Sequence, residues 1–168
     1  TQRALIAKPN FLVHMTYASK KDLVMATKNK ISIVVCPRAN GSLAEGVPNV
    51  DLMLDTGCNV AIGTDNVMIN SPDMFREMDY LWKVSMGIKK KRLLPKDVLK
   101  MATTNASSLL GGNVGIIQNK KIADCIFIEK HSIDLEPMHN PHASVGQRAS
   151  ENTIKAVMYE GKLVHGKI

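Results

Sequence analysis

Apolar residues gather first into three brief runs, Phe11-Leu12-Val13, the β-branched stretch Ile31 to Cys36, and Val60-Ala61-Ile62. Short apolar runs bounded by polar or turn residues are the pattern of strands covered on both faces. Between the first two, residues 19–30 carry Leu23, Val24, Ala26 and Thr27 on one side, with Ser19 placed to cap a helix. Between the second and third, Pro37 stops the strand and residues 38–48 read as a polar, glycine-containing loop. A short helix over residues 50–56 follows, ended by Gly57. The order strand, helix, strand, helix, strand implies parallel strands joined by right-handed crossovers.

The pattern then becomes helical. Ser71-Pro72-Asp73 reads as a helix start, with a capping serine, proline at the first position and an acid near the positive dipole end. Met74, Phe75, Met78, Leu81, Trp82 and Ser85 recur at three- and four-residue steps, a stripe for core packing. A second helix is predicted over 95–110, closed by Gly111-Gly112. Beyond it the period changes to that of short strands at 122–129, 154–160 and 162–165. Glu160-Gly161 makes a tight hairpin between the last two, and the stretch around 137–147 reads as loop. The predicted division is therefore an α/β part, residues 1–112, and a small β part, residues 113–168.

Composition removes several function classes. The 168 residues are 45% hydrophobic and 22% charged, as in a globular protein. No apolar stretch approaches the roughly 18–20 residues that cross a bilayer, so no membrane partner is expected. The net charge of +7 is dispersed. Its densest run, Lys89-Lys90-Lys91-Arg92, lacks interleaved aromatic residues and reads as a solvated helix end or loop. No nucleic-acid partner is expected. Cys36, Cys58 and Cys125 form no C-x-x-C pair; Cys36 and Cys125 lie in apolar runs as small buried hydrophobes, and a reducing cytoplasm is the expected compartment.

Chemistry enters at the strand ends. Val60-Ala61-Ile62 runs through Gly63-Thr64 into Asp65, and Phe11-Leu12-Val13 runs into His14. Polar groups just past the C-terminal ends of buried strands stand where α/β folds build active sites. A carboxylate there can hold a divalent metal or act as a base, and with a histidine it suggests hydrolysis. His139 and His142 form an H-x-x-H pair, read as exposed loop histidines for want of a supporting helix. Gly111 to Gly115 has a G-x-x-G spacing, but it follows a helix rather than a strand and so terminates that helix.

Taken in order, Val13-His14-Met15-Thr16, Val35-Cys36-Pro37-Arg38-Ala39-Asn40, Glu45-Gly46-Val47-Pro48, Gly63-Thr64-Asp65-Asn66, Met74-Phe75-Arg76-Glu77-Met78, Met101 to Ala106 and Ile122-Ala123-Asp124 resemble the C-terminal half of the metal-dependent amidohydrolases. The similar branch is that of the cytosine, guanine and S-adenosylhomocysteine deaminases and the triazine chlorohydrolases. The resemblance implies the sixth to eighth units of a (β/α)8 barrel over residues 1–112, and part of the flanking β-sandwich over 113–168. It also implies that Asp65 ligates a metal and takes the proton of the attacking water. His14 would stand beside the ion and contact water or substrate, while Asn40 and Asn66 line the pocket. Asn119-Lys120-Lys121 departs from the family pattern, where an acidic residue, a glycine and a lysine are usual.

One divalent ion, zinc or iron, is implied, held by three histidines and an aspartate. The H-x-H pair, the further histidine and the glutamate that would complete the site are absent from these residues. The expectation is therefore a C-terminal fragment, opening at Thr1 rather than Met, that alone holds metal poorly and turns nothing over. Its expected partners are a small heterocyclic substrate and either the rest of the barrel or another copy of itself in a homo-oligomer. The implied reaction is hydrolytic deamination of a heterocyclic base or nucleoside. The alternatives left open are a chlorohydrolase or cyclic amidase of the same fold, and a non-catalytic α/β module for assembly or binding.

Overall fold

A parallel sheet of three strands, β1 (Phe11–Val13), β2 (Ser32–Val35) and β3 (Val60–Ile62), organises the first two thirds of the chain. The computed structural model describes residues 2–88 and 93–168; the basic run at 89–92 lies outside the described residues. The strands pair in sequence order, with Val13 opposite Val34 and Val35 opposite Ile62. All three therefore end on the same side of the sheet.

Helix α1 (Gln2–Ile6) precedes β1, and α2 (Lys20–Lys28) crosses from β1 to β2. A capping box fixes the start of α2. The Ser19 hydroxyl accepts the Asp22 N–H at 3.2 Å, and the Asp22 carboxylate accepts the Ser19 N–H at 2.9 Å. The two Ser19 donors hold the Asp22 carboxyl below its ordinary range. Between β2 and β3 run α3 (Pro37–Ser42) and α4 (Val50–Asp55). The sequence predicted loop over 38–48, but Pro37 both stops β2 and occupies the first turn of α3.

After β3 come α5 (Met74–Ile88), α6 (Pro95–Ala102) and α7 (Thr104–Leu110). Two corrections arise here. Asp73, not Ser71, caps α5: its carboxylate accepts the Arg76 N–H at 3.1 Å. The single helix predicted over 95–110 breaks at Thr103, whose φ of −129° and ψ of −94° leave the helical region. Leu23, Ile33, Val35, Met53, Val60, Met78, Leu81 and Met101 form the main core between sheet and helices. Each such side chain contributes about 1.5–3 kcal/mol on burial.

The remaining residues make an antiparallel sheet of β4 (Cys125–Ile128), β5 (Ile154–Tyr159) and β6 (Lys162–Gly166) in that order. Glu160 and Gly161 turn β5 into β6 with φ of 49° and 76°, the two left-handed positions of a type I′ hairpin. Cys125 is half-buried rather than the core residue expected. The predicted loop around 137–147 holds α8 (Pro141–Arg148), capped by Asn140 and packed on α5 and α6. Arg148 at its end donates to the carbonyls of Leu135 (2.6 Å) and Pro137 (3.0 Å), pinning the segment before the helix. No helix among the described residues is long and apolar enough to cross a membrane.

Leu81 is fully buried where α5 meets the sheet, whereas Met68 is 86% exposed. Leu81→Ala is expected to lower unfolding free energy by about 2–5 kcal/mol. Met68→Ala is expected to change it by less than about 0.5 kcal/mol, both read from denaturant titrations.

Candidate metal centre at the strand ends

The common direction of the strands delivers His14 from β1, Cys36 from β2 and Asp65 from β3 to one point. One ligating atom of each lies within 4.8 Å of the others. Among the described residues no other trio of metal-ligating side chains converges in this way, and His139 and His142 belong to none. His14 N–H still completes the ladder, donating to Val34 carbonyl at 2.7 Å, and Gly63 N–H donates to Val35 carbonyl at 2.9 Å. Gly63 admits no side chain easily, because a Cβ there would stand 3.1 Å from Val34 Cγ1 and 3.5 Å from Cys36 Sγ. The strand end thus lies close over β2.

Backbone strain is concentrated at the same place. His14 (φ 69°), Met15 (φ 53°) and Asp65 (φ 59°) are left-handed without being glycine. Such a conformation costs about 1–2 kcal/mol per residue, though His and Asp are among the side chains that enter it more readily. The turns redirect both functional side chains immediately after their strands. The Asp65 Oδ1 accepts the Asn66 N–H at 2.8 Å, leaving Oδ2 for the site.

The His14 ring is fixed from behind by Asn40. That asparagine, on α3, is completely buried and places its amide oxygen 2.9 Å from His14 Nδ1. Its amide nitrogen donates to Thr16 Oγ1 at 2.9 Å. An amide oxygen only accepts, so Nδ1 carries a ring proton and Nε2 is the nitrogen turned toward Asp65. Nε2 and Asp65 Oδ2 are 3.6 Å apart. Two lone-pair donors facing each other at that separation call for a proton or a cation between them. A carboxylate and a neutral imidazole are also the ligand types that zinc and iron take. The donor types present fit a divalent ion.

Of the four residues singled out from the sequence, the structure brings His14, Asp65 and Asn40 together. Asn66 stands apart: it is exposed, and its side-chain oxygen accepts the Met68 N–H at 3.1 Å within its own turn. Sequence reasoning missed Glu77 and Arg38. Glu77 is 0% exposed. It accepts the Arg38 N–H at 3.2 Å and lies 3.4 Å from the guanidinium. Burial pushes its carboxyl up, with the Arg38 donors opposing. The signal was available, because position 77 falls on the buried stripe that runs through Met74, Met78 and Leu81.

Burial, with the Asp65 and Glu77 charges, pushes the Cys36 thiol up to about 11, against the pull of the Asp65 N–H. It is neutral at pH 7 and packs as an apolar floor. Because the folded-state value lies above the unfolded one of 9.0, its stabilising contribution is complete below pH 9 and is lost as pH rises through 11. Chemical denaturation between pH 9 and 11 is expected to show about 2–3 kcal/mol of lost stability that Cys36→Ala does not show.

Comparisons with known proteins identify the family. The profile of the Amidohydrolase family matches residues 4–164. A putative aminohydrolase of Methanothermobacter thermautotrophicus is 40% identical over 163 residues, 97% of this chain and 40% of that protein. A 5-methylthioadenosine/S-adenosylhomocysteine deaminase of Thermococcus sibiricus is 31% identical over 158 residues, 90% of this chain and 36% of that one. Among solved structures, an adenosine deaminase of Xanthomonas campestris with bound zinc superposes with a TM-score of 0.87 at 25% identity, over 91% of this chain and 36% of its own. The chain thus spans 36–40% of the length of these proteins. With a family match over nearly all of its residues and its strand-end donors converging as described, this chain belongs to the amidohydrolase family.

Proposed function

We propose that this chain is the C-terminal part of a metal-dependent amidohydrolase that deaminates a heterocyclic base or nucleoside with an activated water. The observation that carries the reading is the 3.6 Å approach of His14 Nε2 to Asp65 Oδ2 at the shared end of parallel strands. In this reading β1, β2 and β3 are the sixth, seventh and eighth strands of a (β/α)8 barrel, residues 1–112. Residues 113–168 belong to the flanking β-sandwich. The similarity to deaminases of adenosine derivatives points to a purine nucleoside as substrate.

One divalent ion, zinc or iron, would sit against Asp65 and supply acidification of a bound water, whose pKa would fall to about 7. Asp65 holds negative charge at the site and takes the proton that the nucleophilic water gives up. His14, locked by Asn40 with its Nε2 toward Asp65, orients that water. Its ring also stands beside the oxygen on which charge develops at the tetrahedral carbon, while the proton taken by Asp65 would pass on to the departing ammonia through an acid supplied by residues outside this chain. Asn40 acts through His14 and is a positioning residue. Asn66, on the exposed turn beyond Asp65, lines the mouth.

Zinc in hydrolytic sites has three protein ligands and an open position. With Asp65 as the ligand from this chain, the others come from residues outside it, and the 168 residues alone turn nothing over. β1 has a strand neighbour on one side only, and Phe11 and Val13 remain exposed there. The rest of the barrel, or a second copy in a homo-oligomer, covers that edge. Three unpaired thiols suit a cytoplasmic enzyme.

The test is ammonia release from a panel of purine and pyrimidine nucleosides by the full-length gene product. Asp65→Asn is expected to lower kcat by about 10²–10⁴-fold. Asn40→Ala is expected to lower kcat/KM by about 10–100-fold. Full activity in Asp65→Asn, or no ammonia from any member of the panel, overturns the reading.

A further inference from the structure

We infer that the pair of half-buried Arg38 and fully buried Glu77 is a positioning device that sets the place of Asp65, an inference resting on the reading of Asp65 above. The loop from β3 to α5 carries Asp65 at one end and Asp73, the cap of α5, at the other. Arg38 grips that loop from the side. Its Nη1 donates to the Ser71 carbonyl at 3.2 Å and to Glu77 Oε1 at 3.4 Å, and its Nη2 donates to Asn70 Oδ1 at 3.4 Å. Glu77 in turn accepts the Arg38 backbone N–H at 3.2 Å, so the carboxylate fixes both the start of α3 and the fork that reaches the loop.

The same six-residue helix therefore serves both halves of the site. Arg38, one residue into it, anchors the loop of Asp65, and Asn40, two residues on, anchors the ring of His14. Their separation depends on α3 being held still. Tyr80 of α5 packs against Gly41 so closely that a Cβ at position 41 would collide with its hydroxyl, which closes α3 against α5.

Stability alone does not account for the pair. Taking a carboxylate to complete burial costs several kcal/mol, and apolar side chains of similar volume in place of a buried ion pair are often neutral or stabilising. What apolar replacements cannot supply is the planar fork that reaches a carbonyl, an amide oxygen and a carboxylate at once. The fork ties the loop to the helix; apolar packing would only fill the space.

The test uses the full-length protein with the double variant Arg38→Met/Glu77→Leu and, in case it does not fold, Arg38→Lys, which keeps the charge and removes the fork. In either variant, amide hydrogen exchange in residues 66–72 is expected to accelerate at least tenfold while β2 and β3 keep their protection. For deamination, kcat is expected to fall by about 10–100-fold with KM within threefold of the parent, the mark of misplaced groups rather than lost binding. Unchanged exchange in 66–72, or faster exchange spread equally over β2 and β3, overturns the inference. Should the parent enzyme release no ammonia, the functional reading fails by itself, and the exchange data alone still decide whether the pair holds the loop.

Discussion

The parallel register of three short strands is the constraint on which everything else depends. Because Val13 lies opposite Val34 and Val35 opposite Ile62, the residues that leave the strands leave them side by side. An antiparallel arrangement of the same segments would send the β2 end, with Cys36, to the opposite edge from His14 and Asp65. Crossovers of the parallel type need covering helices on the outside, and α2, α4, α5 and α6 supply them with buried Leu23, Met53, Met78, Leu81 and Met101. The core thus fixes the direction of the strands, and the direction fixes the chemistry.

That arrangement carries a cost in local strain which the surroundings absorb. His14, Met15 and Asp65 are held left-handed, Gly63 lies tight against Val34 and Cys36, and the Glu77 carboxyl is buried. Each feature is over-determined by neighbours: ladder bonds to Val34 and Val35, the Asn40 amide behind the ring, and the Arg38 fork along the loop. Strain that persists in this way clusters where a fold must hold polar groups against their preference. Cys36, neutral beneath the pair, adds a polarizable floor without adding charge.

Much of this was legible in the sequence, and the reasons for the exceptions are local. The strands and the Ser19 cap of α2 follow from short apolar runs and from a serine placed before the apolar face, whereas the reciprocal bond from Asp22 is a finding of the structure. His14 and Asp65 could be singled out because the first directly follows such a run and the second stands three residues past the end of another. Helix α3 was hidden because Asn40, Gly41 and Ser42 have poor helix propensity, and only tertiary packing against α5 holds them. The break at Thr103 has no strong local signal: its hydroxyl bonds back to the Leu99 carbonyl at 2.8 Å, a competition with the backbone that spacing does not reveal. Asn140-Pro141 announces α8 in retrospect, as a cap followed by proline at the first helical position. The family resemblance implies Asn40 as a pocket residue, and its buried side chain holds the His14 ring. Glu77 carries a charge on the apolar stripe of α5, and only its burial distinguishes it from a solvated helix glutamate.

Zinc-edge anomalous diffraction from crystals of the full-length protein tests the central claim most directly. The account expects one anomalous peak at about 2.0–2.2 Å from an Asp65 carboxylate oxygen, on the side that faces His14 Nε2. A zinc ion held elsewhere, with the Asp65 carboxylate turned to solvent and away from the histidine ring, would contradict it.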